Sequence, residues 1–166
     1  VFFDDALGHI SRACRVLGQP RGSILLVGLG GSGRRSLARL ASFVLDQQCR
    51  EVRLTRTYGV NEWRVDLKEA LLEAGLNKQS RPVTLLLSDT EILDESFLEN
   101  LNCVLNSGDV PNLYENEDRD RILEGMRYVS ASDPSSDDSG GVGADAIFAR
   151  YAAVRMAGAN SFTTAR

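Results

Sequence analysis

The sequence is poor in the residues that build metal sites and membrane spans. It has one histidine, His9, and its three cysteines, Cys14, Cys49 and Cys103, lie too far apart for a local metal knuckle. No apolar run approaches the roughly 18 residues of a membrane span. Excess basic charge is also missing, since 19 Lys+Arg stand against 23 Asp+Glu, a net charge of −4. The sequence therefore predicts neither a membrane nor a nucleic-acid partner.

The start and the length of the chain indicate what kind of molecule it is. It begins with Val1 and has no basic, signal-type start, so we expect an intracellular piece of a longer protein. An odd number of cysteines is typical of a reducing compartment. With 166 residues, of which 43% are hydrophobic and 25% charged, the chain can form one globular domain and is too short for two.

Helix and strand patterns alternate along the first 115 residues. Apolar side chains at helical spacing predict helices at 4–17, 37–45, 61–75 and 96–108. Short apolar or alternating runs predict strands at 23–27, 52–57 and 83–89, and the second is polar enough for a sheet edge. The alternation predicts an α/β fold in which helices cover both faces of a parallel sheet.

Single residues define the expected ends and buried faces of two of these helices. Asn61 is the expected N-cap of the third helix, Gly75 its end, and Trp63 part of its buried face. Ser96 and Glu99 form a capping-box pattern at the start of the fourth helix. The residues expected to face inward on that helix are Phe97, Leu98, Leu101 and Leu105.

The composition changes after Tyr114. We expect a short charged helix at 118–126 and a loop rich in serine, aspartate and glycine at 130–145. Residues 158–166 carry no apolar stripe, so the sequence predicts no core strand there and leaves one side of the sheet exposed.

A glycine loop, GLGGSG at 28–33, stands between the first predicted strand and the second predicted helix. Its glycines allow positive φ angles and close backbone approach, so its N–H groups can bind a phosphate beside the positive end of the helix. The alternative is a tight turn without a ligand. Four glycines in six positions cost more backbone entropy than a simple turn requires, which favours the phosphate loop.

The loop fits the dinucleotide fingerprint G-x-G-x-x-G, which also needs an acidic residue about 20 positions on, at the end of the next strand. Glu51 has that spacing but stands at the start of the predicted strand, whose end carries Arg53 and Arg56. The arginines suit a 2′-phosphate, so an NADP-type dinucleotide domain is a remote alternative.

The loop also fits the P-loop pattern G-x-x-x-x-G-K-[ST], with two departures. Arg34 stands at the lysine position, and its planar fork is bulkier than a compact ammonium. Arg35 stands where the Mg²⁺-binding hydroxyl belongs, and Ser36 comes one residue late. The positive charge is kept, but metal binding is doubtful at this point of the motif.

The predicted strand at 83–89 ends in Asp89, the pattern of a Walker B segment whose aspartate holds Mg²⁺. One strand–helix unit lies between it and the glycine loop, as in the additional-strand branch of P-loop ATPases. A dinucleotide fold does not need this arrangement. The alternative is that Asp89 merely ends a core strand.

Two longer motifs carry a family resemblance: QPRG-x-x-LLVG-x-GGSG at 19–33 and DESFLE-x-x-N-x-x-LNSG-x-VPNL at 94–113. From about Phe3 to Met126 the chain resembles the fourth AAA+ module of dynein heavy chains of the axonemal (ciliary) type. Members of that type often carry arginine at the lysine position, followed by glutamine and serine, so only Arg35 departs. The resemblance implies a three-layer α/β/α P-loop NTPase fold, incomplete at the C-terminus, without sensor strand or lid. It divides the chain into a nucleotide-binding large-subdomain core at 1–129 and a low-complexity, poorly defined segment at 130–166.

The resemblance also implies site residues, with ATP or ADP and Mg²⁺ as cofactors. The nucleotide-binding positions are Gly28, Gly30, Gly31, Ser32, Gly33, Arg34, Arg35 and Ser36, and the metal position is Asp89. The catalytic glutamate of AAA+ proteins directly follows that aspartate, where this chain has Thr90. Glu91 comes one residue late, and Glu95 is preferred because a helix holds it. The alternative for both glutamates is a solvated helix N-terminus.

The implied function is regulatory nucleotide binding in a microtubule motor, with weak or no ATP hydrolysis by the isolated chain. The expected partners are neighbouring AAA+ modules and, through the full motor, intermediate chains, light chains and microtubules. The expected location is the cytoplasm and cytoskeleton, in the axoneme of cilia or flagella. A pseudo-ATPase module that only helps to assemble the ring is the alternative. Arg150 or Arg155 could serve as an arginine finger, although a surface arginine is favoured for each.

Overall fold

The structure, a computed structural model, describes residues 3–19, 21–76, 81–131 and 161–165. Helices and strands alternate in this part of the chain, as predicted. The helices are α1 (Asp4–Leu17), α2 (Arg34–Val44), α3 (Val60–Leu76), α4 (Glu95–Asn106) and α5 (Asn116–Ala131). The strands are β1 (Ser23–Leu26), β2 (Gln48–Glu51), β3 (Val83–Ser88) and β4 (Ser161–Ala165), and a 3₁₀ turn follows β3 at Asp89–Glu91.

These strands form one parallel sheet in the order β1-β4-β3-β2. β4 pairs with β1 on one side and with β3 on the other, and β2 pairs with β3 at the sheet edge. The predicted α/β fold with a parallel sheet is therefore confirmed. In a dinucleotide-binding fold the first two strands are neighbours, whereas here β4 and β3 lie between them, so the strand order argues against the NADP-type alternative.

The position of β4 corrects an expectation from the sequence. We expected no core strand at 158–166, yet Ser161–Ala165 pairs with two neighbours in the interior of the sheet. The sequence SFTTA has no apolar alternation, but its strand is stabilised by backbone hydrogen bonds on both sides, and threonine favours strands. The domain division at 129/130 stays a prediction, although α5 runs across it and β4 shares the sheet of β1.

The main core lies where α3 and α4 cover β3. Trp63 of α3 and Phe97 of α4 are fully buried and stack at 4.8 Å between ring centroids, with 10° between the ring planes. β3 is buried along five of its six residues, as its unbroken apolar run predicts. A smaller cluster joins α1 to α2 through Ala13, Leu17 and Ala41. Burial of Trp63 confirms the prediction that it is a core residue.

Several predicted helix ends differ from those observed. α3 already includes Asn61 and continues past Gly75, and the Glu62 carboxylate accepts a hydrogen bond from the Gly59 N–H at 2.9 Å at its start. Asp94, not Ser96, caps α4, because its carboxylate accepts the Ser96 N–H at 2.9 Å. The capping box of this region lies in the turn after β3 instead.

Some residues that we expected to be buried are exposed. Leu98 and Leu105 are 49% and 42% exposed, since α4 turns Phe97, Leu101 and Val104 toward the core. The strand predicted at 52–57 is observed earlier, at Gln48–Glu51, and it does lie at the edge. α5 is longer than the helix predicted at 118–126. Among the described helices, none has both the length and the apolar character needed to cross a bilayer.

Candidate functional site

The glycine loop joins β1 to α2 and is open to solvent. Gly31 and Gly33 both have φ near +78°, the left-handed region that side chains rarely adopt. A Cβ atom at Gly30, Gly31 or Gly33 would meet no atom of the described residues within 4 Å, so the backbone is open at these three positions. Gly33 is the N-cap of α2, and it has no side chain to cap that helix. The first N–H groups of α2 are therefore available to an anion.

Arg34 folds back over this loop. A Cβ atom at Gly28 would lie 3.5 Å from its Cδ and 3.3 Å from the Ser32 Oγ, so Gly28 leaves room for both side chains. The Arg34 Nη1 atom is buried and has no hydrogen-bond partner among the described residues. A buried guanidinium nitrogen without a partner is costly, and a phosphate oxygen above the loop would satisfy it.

Arg35 points away from the glycine loop, toward β2 and the turn that follows β3. Its Nη2 donates to the Glu91 carboxylate in the turn after β3, and its Nε lies 3.4 Å from Glu51 Oε2 at the end of β2. Arg39, one turn later on α2, also donates to Glu51 through its Nε and Nη2 atoms. This hydrogen-bonded Arg39 guanidinium lowers the pKa of Glu51 below its usual value.

Glu91 is the most buried carboxylate of the site, 5% exposed. One oxygen accepts from Arg35, and the other accepts the Ser88 N–H at 2.7 Å, which closes the capping box of the 3₁₀ turn. Both oxygens are engaged within the protein. Glu91 therefore links α2 to the β3 turn in this structure, and the catalytic role expected for it stays a prediction.

Asp89 lies at the carboxyl end of β3, exposed to solvent. Its Oδ1 accepts the Thr90 N–H at 3.0 Å and the Ser88 Oγ at 3.2 Å. Because β1 and β3 both pair with β4, Asp89 and the glycine loop leave the same edge of the sheet, two strand spacings or about 10 Å apart. The structure thus brings the two predicted elements of the phosphate site to one edge.

The remaining predicted residues lie around this edge. Ser36 is the third residue of α2 and is exposed. Glu95 is the first residue of α4, also exposed, and it follows the Asp94 cap. Arg150 and Arg155 lie outside the described residues. The sequence did not indicate that Arg35 would lie beside Glu51 and Arg39. No spacing rule predicts contacts between residues of different helices and strands.

A separate cavity of about 490 Å³ lies between the end of β2 and the start of α3. Tyr58 lines it, and its hydroxyl donates to Asp66 at 2.6 Å. Burial and this carboxylate raise the pKa of Tyr58 above its usual value. The other lining residues are Arg50, Glu51, Val52, Arg53, Thr55, Asn61, Glu62, Val65 and Leu85. No pattern in the sequence indicated this cavity.

The donor set of the site is poor in metal ligands. Within the described part of the chain, no three histidine, cysteine, aspartate or glutamate side chains converge in a way that could hold a metal ion. Asp89 offers one carboxylate, Glu91 is bound to Arg35, and a guanidinium stands where P-loops carry a hydroxyl. Mg²⁺ prefers oxygen ligands in near-octahedral geometry, so these residues do not fit it well.

Comparison with known proteins gives the family of this arrangement. The family model described as "P-loop containing dynein motor region D4" matches residues 1–148. The chain is 53% identical over 127 residues to human "Dynein axonemal heavy chain 1" and 52% identical to the mouse protein, which covers 76% of this chain in each case. It is 46% identical over 127 residues to "Dynein-1-beta heavy chain, flagellar inner arm I1 complex" of Chlamydomonas reinhardtii.

The chain spans about 3% of the length of these curated relatives. The matched region includes the glycine loop, the β3 turn and α4, the three elements that form the candidate site. The sequence resemblance to the fourth dynein module is therefore confirmed, and the parallel sheet agrees with it. This chain belongs to the P-loop-containing dynein motor region D4 family.

Proposed function

We propose that the chain binds ADP or ATP at its glycine loop, as an AAA+ module of an axonemal-type dynein heavy chain. The observation that carries this proposal is the Arg34 guanidinium, which lies over an open glycine loop with a buried nitrogen that has no partner among the described residues. The phosphates would receive hydrogen bonds from the loop N–H groups and from the start of α2. Arg34 supplies the positive charge that lysine supplies in other P-loops.

The role of the module in the motor is regulatory. Nucleotide binding between β1 and β3 changes how the module contacts its neighbours in a ring of AAA+ modules, which are the direct partners. Intermediate chains, light chains and microtubules are reached only through the full heavy chain. The names of the relatives, axonemal and flagellar dyneins, support the axoneme of cilia or flagella as the place of work.

Hydrolysis by this chain alone is weak or absent. Phosphoryl transfer depends on positioning and charge stabilisation, and an attacking water needs a free carboxylate. Thr90 stands beside Asp89, and both oxygens of Glu91 are engaged. Exposed Glu95 at the start of α4 is the remaining candidate for that task. A low rate under saturating ATP is the expected result.

Calorimetric titration of the chain with ADP and ATP tests the proposal. We expect micromolar binding, and Arg34→Ala should weaken it by about tenfold or more, because one charge-assisted contact to a phosphate is lost. Arg12→Ala on α1 removes the same charge from an exposed position and should leave the affinity unchanged. Asp89→Asn tests the predicted metal position in the same assay. Unchanged affinity in both site variants would mean that the site is assigned wrongly.

The second candidate function is a ring module without nucleotide turnover. The Arg35–Glu91 contact favours it, because this contact occupies a glutamate that could otherwise serve catalysis. A folded sample that binds neither ADP nor ATP supports this candidate. An NADPH titration belongs in the same series, and a preference for NADPH over ADP would restore the dinucleotide alternative.

A further inference from the structure

The contact between Arg35 and Glu91 joins two elements that a metal ion joins in other P-loop proteins. There, Mg²⁺ is held between a hydroxyl in the first turn of the P-loop helix and an aspartate after the Walker B strand. Here Arg35 lies in the first turn of α2, and its guanidinium binds Glu91 in the turn that follows β3. We propose that this ion pair replaces the metal, so that the chain binds adenine nucleotide independently of Mg²⁺, an inference that rests on the proposed function.

The charges around Arg35 are balanced without a metal. Arg35 and Arg39 face Glu51 and Glu91, two cations against two carboxylates. Glu91 is almost fully buried, and burial of a carboxylate is costly unless a charged group is hydrogen-bonded to it. Arg35 is that group, since its Nη2 donates to the Glu91 carboxylate. The protein's own charges therefore join α2 to the turn after β3.

A divalent cation would find few ligands between Asp89 and Arg35. Asp89 is the one carboxylate of the β3 turn that is not bound to an arginine among the described residues. The fixed guanidinium of Arg35 repels a second cation, and it contributes no oxygen ligand. Arg34 already provides a positive charge for the phosphates. The nucleotide is consequently held by the loop amides and Arg34, without the metal.

The experiment compares ADP affinity in excess EDTA with that in millimolar Mg²⁺, by calorimetry on the chain and on two variants. Arg35→Thr places a hydroxyl at the metal-ligand position, whereas Arg35→Lys keeps a cation there and serves as the matched control. Circular dichroism and thermal unfolding establish that each variant is folded. Titration with Mn²⁺ alone, followed by electron paramagnetic resonance, reports metal binding directly.

In the unchanged chain we expect the ADP affinity to differ by less than about twofold between EDTA and Mg²⁺. Arg35→Lys should behave likewise, and Arg35→Thr should bind ADP about tenfold more tightly with Mg²⁺ than with EDTA. Mn²⁺ should bind the Arg35→Thr variant with ADP but not the unchanged chain.

Each other outcome has a distinct meaning. ADP binding by the unchanged chain that needs Mg²⁺ overturns the metal replacement and leaves the proposed nucleotide site intact. Equal Mg²⁺ dependence in Arg35→Lys and Arg35→Thr also overturns the metal replacement. The positive side chain at position 35 would then not decide whether nucleotide binding needs Mg²⁺. Absence of ADP binding in EDTA and in Mg²⁺ by folded protein overturns the proposed function and, with it, this inference. If Arg35→Thr does not fold, the unchanged chain and Arg35→Lys still decide the question.

Discussion

Two strands of the sheet, β3 and β1, differ in how much of each is buried by helices. Around β3, side chains of α3 and α4 are packed into a continuous core, and Trp63, Phe97 and Leu87 are at most 1% exposed. Around β1, Leu25 is 65% exposed and Val27 is 72% exposed. The glycine loop continues from this poorly covered strand. The strand that leads to the proposed phosphate site is thus the less buried of the two.

The residues that stabilise the fold and the residues proposed to bind nucleotide therefore lie in different parts of the molecule. Burial of apolar area around β3 supplies most of the hydrophobic stabilisation of the described part. Beside the loop after β1, the Arg34 Nη1 atom is buried and has no hydrogen-bond partner among the described residues, which costs stability, and the proposed function assigns it to a ligand. Substitutions of core side chains around β3 should therefore mainly affect unfolding, and removal of the Arg34 side chain should mainly affect the proposed nucleotide binding.

The largest effect is expected from one matched pair in the sheet. Leu87 of β3 and Leu25 of β1 are both in register with Thr164 of β4. Leu87→Ala should lower the free energy of unfolding by about 2–5 kcal/mol, since it creates a buried cavity. Leu25→Ala should lower it by less than about 0.5 kcal/mol, because the side chain is already exposed. Urea denaturation followed by Trp63 fluorescence measures both, and equal losses would remove the difference between the two strands.

The next effect concerns the ion pair that ties α2 to the β3 turn. Glu91→Gln should lower the free energy of unfolding by about 1–3 kcal/mol, because it leaves the Arg35 guanidinium without its buried partner. Glu99→Gln removes an exposed carboxylate of α4 and should be nearly neutral. The same denaturation assay applies. A neutral Glu91→Gln would show that α2 and the β3 turn are not joined by this contact.

Within the loop, two glycines form another matched pair. Gly33 has φ of +78° and Gly30 does not have a positive φ, while both have open space around a Cβ atom. Gly33→Ala should cost about 1–2 kcal/mol through backbone strain, and Gly30→Ala should be neutral or slightly stabilising. Thermal unfolding of the two variants compares them. A loop that tolerates alanine equally at both positions would not have the observed backbone.

The smallest effect is a pH dependence at the edge of the sheet. Arg39 keeps the pKa of Glu51 below its usual 4.5, so the ionised carboxylate favours the folded state above that pH. This contribution disappears as the pH falls from 4.5 through the lowered pKa. Glu51→Gln should therefore flatten the acid limb of the stability curve, by less than about 1 kcal/mol. Glu117→Gln, an exposed carboxylate on α5, is the control and should leave the limb unchanged.

The sequence predicted best those parts of the fold that follow from local patterns. The apolar run of β3 located a buried strand to within one residue, and α1 has the predicted bounds. β4 escaped prediction because two neighbouring strands stabilise it, and neither is near it in sequence. Leu25 is exposed although its short apolar run is typical of a buried strand, because an apolar residue in a strand does not specify what covers it.

The candidate site also has features that the local sequence predicts and features that it does not. The glycine spacing and the aspartate after β3 were predicted from the sequence, and the structure brings both to one sheet edge. The engagement of Glu91 by Arg35 was not predicted, because the two residues are 56 positions apart. Charge alone does not select one partner among many carboxylates. Which glutamate could support hydrolysis thus depends on packing, and Glu95 is the one left exposed.

A ¹H–¹⁵N NMR titration of the chain with ADP would locate the nucleotide residue by residue. We predict that the backbone amides of residues 30–34 shift on binding, while the Trp63 indole N–H and the amide of Tyr58 remain in place. Such a result would put the phosphates at the glycine loop, beside Arg34 and away from the β3 core. Shifts centred on Tyr58 and its cavity, with the loop amides unchanged, would contradict a nucleotide site at the glycine loop.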